Sequence, residues 1–256
     1  MMNHKELQNL LDESYDRYNT LSFIKDDPIS IPHLFSRKED IEIAGFFAAT
    51  IAWGQRPQII RCAMKLMKMM DNQPHQFILN ATEEEINEFA GFVYRTFNGQ
   101  DCICFIKALQ NIYQNHNGLE SIFTKSYQKH SDIKEAIVDF RRIFFEIPHP
   151  KRSEKHVSDA AKLSACKRIN LFLRWMIRND NRGVDFGLWK NIPASALYIP
   201  LDVHTGNTSR ALGLLNEKQN NWKAVAQLTE KLKQFDAADP VKYDFALFGL
   251  GVYDGL

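Results

Sequence analysis

Cysteine is scarce in this chain and follows no pattern. Cys62, Cys102, Cys104 and Cys166 fit neither a metal or cluster motif nor a disulfide framework. Free thiols suit a reducing compartment. The opening MMNHKELQNLLDESYDRYN lacks the apolar stretch of a signal peptide. No apolar run is long enough to span a bilayer. These absences lead to the expectation of a cytoplasmic protein of bacterial type, without a membrane partner. Net charge is nearly absent as well, at +1 from 32 Lys+Arg against 31 Asp+Glu, so the overall balance selects no partner. There is no alternating strand pattern of useful length, no internal repeat and no low-complexity linker.

What the chain does hold is helical patterning. Its 256 residues, 45% hydrophobic and 25% charged, can bury a substantial core. Apolar residues recur at helical spacing from Asn3 to Asn19. Ser36 and Glu39 read as a capping box that starts a helix from Arg37 to about Trp53. That helix, IAGFFAATIAW, has no polar face and is expected at the centre of a bundle. Gly54 ends it, and Pro57 opens the next helix, to about Met70, with Gln55 and Arg56 exposed in the corner between them. Thr82 and Glu85 read as a second capping box, Asp101 as the cap of CICFIKALQNIYQ, and Ser131 or Asp132 as the cap of Ile133–Phe145. The fold class expected is all-α, with about ten helices.

The chemistry candidates lie between Lys162 and Leu215. The stretch from Lys151 to Arg182 holds nine Lys/Arg against three acids, enough either to bind phosphates or to form a solvated helix face. On the helix of KRINLFLRWMIR, Lys167, Arg174 and Arg178 fall within about 20° of one line. A lysine beside apolar neighbours and other cations becomes nucleophilic as its neutral form is favoured; the alternative is a side chain reaching into solvent. Asp202 precedes a helix ending near Gly213 and can cap it. A cap also fixes a carboxylate beside a positive dipole end, so capping and catalysis are compatible. Gly206 in the first turn allows a close approach. Asp202 and His204 as a metal pair would lack further ligands.

Lys-x-x-Asn on a helix, then hydrophobic-Asp-Val-His and a helix ending Arg-Ala-Leu-Gly-Leu, resembles the helix-hairpin-helix DNA glycosylase superfamily, which includes endonuclease III and the 8-oxoguanine DNA glycosylases. The similarity covers roughly Glu42–Gly251, with close motif identity in Lys167–Asn170 and Leu201–Gly213. The whole chain also resembles a bacterial family of unassigned function marked by FLRWM and LDVHT. The superfamily resemblance implies Lys167 as nucleophile, Asp202 as the catalytic aspartate, and Gln55 as the residue filling the gap left by a flipped nucleotide. It implies DNA contacts from Arg56, Lys151, Arg152, Lys155, Ser164, Arg174, Arg178, His204 and Thr205. Trp53, Phe172 or Trp175 would stack on the base, or serve as core.

Two departures stand out. The hairpin turn AAKLSACK has no glycine, where the family's turn is glycine-rich, so a hairpin of different geometry is expected. The cluster cysteines of endonuclease III are missing, so no cofactor and no metal is implied. The resemblance implies a two-lobed glycosylase-like fold with a degenerate hairpin. One lobe is residues 35–178; the other joins 1–34 to 183–256, and the site lies in the cleft between them. The activity implied is base-excision repair by a monomer on damaged duplex DNA, with AP-lyase chemistry through a lysine Schiff base, on an oxidised purine. The alternative is a non-catalytic DNA- or RNA-binding protein of the same fold.

Overall fold

A computed structural model describes residues 2–256. Among these the chain is mostly helical, with one short β-hairpin, so the all-α class holds. No helix among the described residues is long and apolar enough to cross a membrane. Thirteen α-helices are present among the described residues rather than about ten, because segments such as Leu21–Lys25 and Glu83–Asn87 each close a single short helix.

The chain divides into two compact units, Asp26–Asp159 and the residues up to Lys25 together with Ala160–Leu256. Residues 26–34 and 160–178 thus fall on the other side of the expected boundaries. In the contiguous unit, α3 (Lys38–Thr50) is buried from Ile41 to its end. Its Phe46 ring meets Phe105, Phe140 and Phe144 at centroid distances of 5.8, 5.7 and 5.6 Å. The Ser36 box does not form: Arg37 is the cap residue, and its Nε takes the Glu39 carboxylate at 3.0 Å instead. α4 (Arg56–Met69) follows, and the Thr82 box opens α6 (Glu83–Asn87) as expected.

The hairpin pairs β1 (Val93–Tyr94) with β2 (Phe97–Asn98). Strands this short carry no readable periodicity. The hairpin displaces the next cap: Asn98, not Asp101, caps α7 (Gly99–Asn115), and Asp101 returns the bond to the Asn98 amide at 2.9 Å. Asp132 caps α9 (Ile133–Phe144).

In the unit built from both ends of the chain, α1 (His4–Tyr18) lies against α13 (Tyr243–Val252). A Cβ at Gly249 would overlap the Tyr18 ring, so the two backbones approach as closely as glycine allows. α12 (Trp222–Lys233) adds Val225, Leu228 and Leu232 to a core shared with Leu11, Leu201 and Leu247.

α10 (Lys167–Ile177) is bound into this unit through charge. Beyond it the chain turns back, and the Phe186 and Trp189 amides donate to the Trp175 and Met176 carbonyls at 2.8 and 2.9 Å, occupying acceptors the helix end leaves open. This return carries Asp185 beneath the helix. Asp185 meets Arg174 at 3.3 Å and Arg178 at 2.9 Å, and both arginines are buried, with side-chain exposures of 3% and 0%. Arg174 also pairs with Asp244 of α13, and Arg178 with Asp180 and Asp239 at 2.8 Å each. Every one of these partners belongs to the terminal unit, which is why α10 goes with it. Burial opposes the charge on Arg178, but Asp185 and Asp239 outweigh that and hold the guanidinium protonated far beyond its ordinary range.

Arg174 and Arg178 are therefore not phosphate contacts. Removing one member of a buried ion pair strands its partners without compensation. Arg178→Ala is expected to lower unfolding free energy by about 3–5 kcal/mol in a denaturant titration. A stable variant with weakened DNA affinity would return Arg178 to the surface role.

Candidate active site around Lys167 and Asp202

Lys167 is the first residue of α10. The turn before it is tight despite lacking glycine: Leu163 and Cys166 both adopt left-handed backbone, with φ of 61° and 48°. Each such residue costs about 1–2 kcal/mol. The turn reaches left-handed conformations with ordinary side chains, and surrounding contacts hold them. The Trp222 amide donates to the Leu163 carbonyl at 2.9 Å, and Ser164 forms an isolated bridge with Asn221. Ser164 Oγ accepts from the Cys166 amide at 3.4 Å, and Asn170 Nδ2 donates to the Ala165 carbonyl at 3.2 Å. The start of α12 thus clamps the turn that aims Lys167.

Asp202 caps α11 (Val203–Ala211), accepting from the Thr205 amide through Oδ1 at 2.9 Å. Its other oxygen, Oδ2, lies 3.9 Å from Lys167 Nζ. The two side chains are 27% and 25% exposed, so the pair is open to solvent but not fully hydrated. Asp202 is fixed from behind as well. Asn220 Nδ2 donates to its carbonyl at 2.8 Å, while Arg210 Nη2 donates to Asn220 Oδ1 at 2.6 Å. A Cβ at Gly206 would lie 2.7 Å from Asn220 Oδ1, so this glycine makes room for the Asn220 carboxamide rather than for another backbone.

A second carboxylate, which sequence patterning did not single out, belongs to the cluster. Asp244, in the first turn of α13, pairs with Arg174 and is buried. Burial pushes its pKa up to about 6; Arg174 opposes that rise, Asp202 adds to it and Lys167 opposes it. Asp244 therefore lies in the field of both candidate catalytic groups. The available signal was a lone acid in the apolar helix sequence YDFALFGLGV. The cluster sets an amine beside one semi-exposed carboxylate, with a buried carboxylate and guanidinium behind. Such an arrangement suits covalent attack on an electrophilic carbon with a fixed anion to stabilise developing positive charge.

The other expected residues scatter. Thr205 is buried, and its amide serves the cap; its side chain is no DNA contact. His204 is exposed, and no group of three or more ligating side chains forms a metal site among the described residues. Phe172 and Trp175 are fully buried core, which removes them as stacking platforms. In the other unit, Gln55 is exposed ahead of α4 and makes no side-chain cap, and Arg56 is half-buried. Lys151 and Lys155 are exposed on the 3-10 segment Lys151–His156. Arg152 is largely committed to protein, donating to Asp101 Oδ2 at 2.8 Å and to the Thr96 carbonyl at 3.3 Å.

A family model, described as protein of unknown function (DUF2400), matches residues 27–253. No curated protein and no solved structure matches the chain.

The buried carboxylate gives a pH signature. Because its folded pKa is near 6, Asp244 binds its proton more tightly folded than unfolded. Its contribution is fully present below about pH 4 and is lost as pH rises through about 6. The stability difference between wild type and Asp244→Asn is expected to change by on the order of 2–3 kcal/mol across that window and to be flat above about pH 7. Urea titrations at several pH values measure it; a difference flat throughout would show Asp244 to be ordinarily solvated.

Proposed function

We propose an activity for this chain, which belongs to the family described as protein of unknown function (DUF2400): base-excision DNA glycosylase with AP-lyase chemistry. The observation that carries the reading is the Lys167–Asp202 pair, 35 positions apart in sequence and 3.9 Å apart in space, with both groups partly open to solvent. Resemblance to the helix-hairpin-helix glycosylases in the sequence motifs around Lys167 and Asp202 supplies the substrate class: a damaged nucleotide in duplex DNA, an oxidised purine in the narrower form. The setting is the cytoplasm.

In this mechanism the nucleotide is turned out of the stack. The neutral Lys167 amine attacks the sugar C1′ while the bond from C1′ to the base breaks, and the base leaves with that electron pair and takes up a proton. Asp202 Oδ2 stabilises the positive charge that develops on the sugar and accepts a proton from the attacking nitrogen. Opening of the sugar ring gives the Schiff base, and loss of the C2′ proton then expels the 3′ phosphate. The cap from Thr205 holds the carboxylate in place throughout, so no reorganisation is needed when charge appears. A second reading, a non-catalytic nucleic-acid binder of the same fold, is favoured by the hairpin, whose left-handed positions are closed with side chains rather than left as open glycine amides.

Borohydride trapping on lesion-containing duplex separates the two. The enzyme gives a covalent adduct that Lys167→Gln abolishes; a binder gives none. Asp202→Asn sharpens the test, because asparagine caps a helix as well as aspartate does. The variant is expected to keep its stability within about 0.5 kcal/mol and to form adduct about 10²–10³-fold more slowly. Unaltered trapping by this variant would reduce Asp202 to a helix cap.

A further inference from the structure

We propose that the solvent face of α4, with the β1–β2 hairpin at its N-terminal end, is a docking surface for the phosphate backbone of duplex DNA. The inference rests on the reading of this chain as acting on DNA and assigns that partner to a surface outside the Lys167 cluster.

α4 has the buried face of an ordinary packed helix in Ile59, Ala63, Leu66 and Met67. Its other side carries Arg61, Lys65 and Lys68, all exposed. Their spacing of four and three residues places them within about 60° of one line. No aspartate or glutamate occurs from Ile43 to Met70, so the helix has no acid of its own to balance them. Among the described residues, none of the three has a carboxylate within ion-pair distance. In a chain with a net charge of +1, such a stripe is a local excess that the rest of the fold leaves uncompensated.

The hairpin extends it. Arg95, exposed in the two-residue turn between β1 and β2, lays its guanidinium against Gly54, at the corner leading into α4. Gly54 has φ of 106°, and a Cβ there would overlap that guanidinium. Lys65 Nζ sits 5.8 Å above the ring of Phe92, just ahead of β1. From Arg56 to Lys68 the helix runs about 18 Å, the axial rise of about five phosphates on one DNA strand.

The chemistry of the face selects among polyanions. Membrane-surface helices expose large apolar side chains beside their cations, and α4 exposes none. Single-strand binding relies on aromatic stacking platforms, and α4 contains no aromatic residue. A regular row of phosphates remains, read without base contacts.

The test is binding of a short undamaged duplex, followed by fluorescence anisotropy across a salt series. Arg61→Gln/Lys65→Gln/Lys68→Gln is expected to weaken binding roughly 10²-fold at low salt and to lower the slope of log K against log salt by about 2.7. Thermal stability should stay at the wild-type value, since these are surface positions. The single variants Arg61→Gln and Lys68→Gln, each expected to lower the slope by about 0.9, serve if the triple variant is unstable. Unchanged affinity and slope would overturn the proposal, as would equal affinity for anionic vesicles or for single strands. Stripe-dependent binding without a trapped adduct would overturn the catalytic reading alone; a trapped adduct with stripe-independent binding would overturn this one alone.

Discussion

Two guanidinium groups buried under α10 fix what the rest of the terminal unit must do. Arg174 and Arg178 are desolvated, and a desolvated cation without a partner costs several kcal/mol. Asp185 answers both from the chain returning beneath the helix, Asp244 answers Arg174 from α13, and Asp239 answers Arg178 from just before α13. α10 therefore cannot rotate or slide without stranding a charge. Lys167 is its first residue, so the direction of the amine is set by an ion-pair network about two to three turns further along. Ion pairs of this kind contribute little net stability compared with a well-packed apolar core, but they define one register for the helix. The proposed role of Lys167 as nucleophile would draw on that register more than on stability.

Asp202 shows the same economy at the level of one side chain. A carboxylate has two oxygens, and here they have separate work: Oδ1 accepts the Thr205 amide and Oδ2 faces Lys167. The cap is worth about 1 kcal/mol to the helix. Its larger consequence is rotational, since the bond at Oδ1 determines where Oδ2 points. The Asn220 and Arg210 contacts extend this support to the backbone carbonyl of the same residue.

The parts of this structure that were legible in the sequence are those governed by local rules. The Thr82 box, the Asp202 cap and the glycine at position 213, with φ of 71°, follow from neighbours a few residues away. Ser36 misled because a competing local partner is present: Arg37 takes the cap position and its Nε holds the Glu39 carboxylate. Asp101 misled because a hairpin too short to leave a periodic trace moved the helix start upstream. The turn before α10 was read through its missing glycines, yet left-handed backbone at Leu163 and Cys166 is held by Trp222 and Asn221. Those residues are more than 50 positions away in sequence, and no local rule reaches so far. Asp244 was passed over for a related reason, because a single acid in an apolar helix acquires meaning only when the arginine opposite it is known.

Charge was the least legible property, and the reason is general. A count along the chain marks residues 151–182 as the basic region, but it cannot distinguish a cation that neutralises the protein from one offered to a partner. Folding spends much of that region internally: Arg152 on Asp101, Arg174 and Arg178 on Asp185, Asp244 and Asp239, Arg182 on Asp16. α4 has fewer basic residues, and its sequence singles out only Arg56, yet Arg61, Lys65 and Lys68 have no acid beside them to spend their charge on. The field a polyanion would meet arises from the unspent cations. It follows that a search for its docking surface should weight each basic residue by the ion pairs the fold has already given it, which moves the expected contacts from the interior of α10 to the outer face of α4.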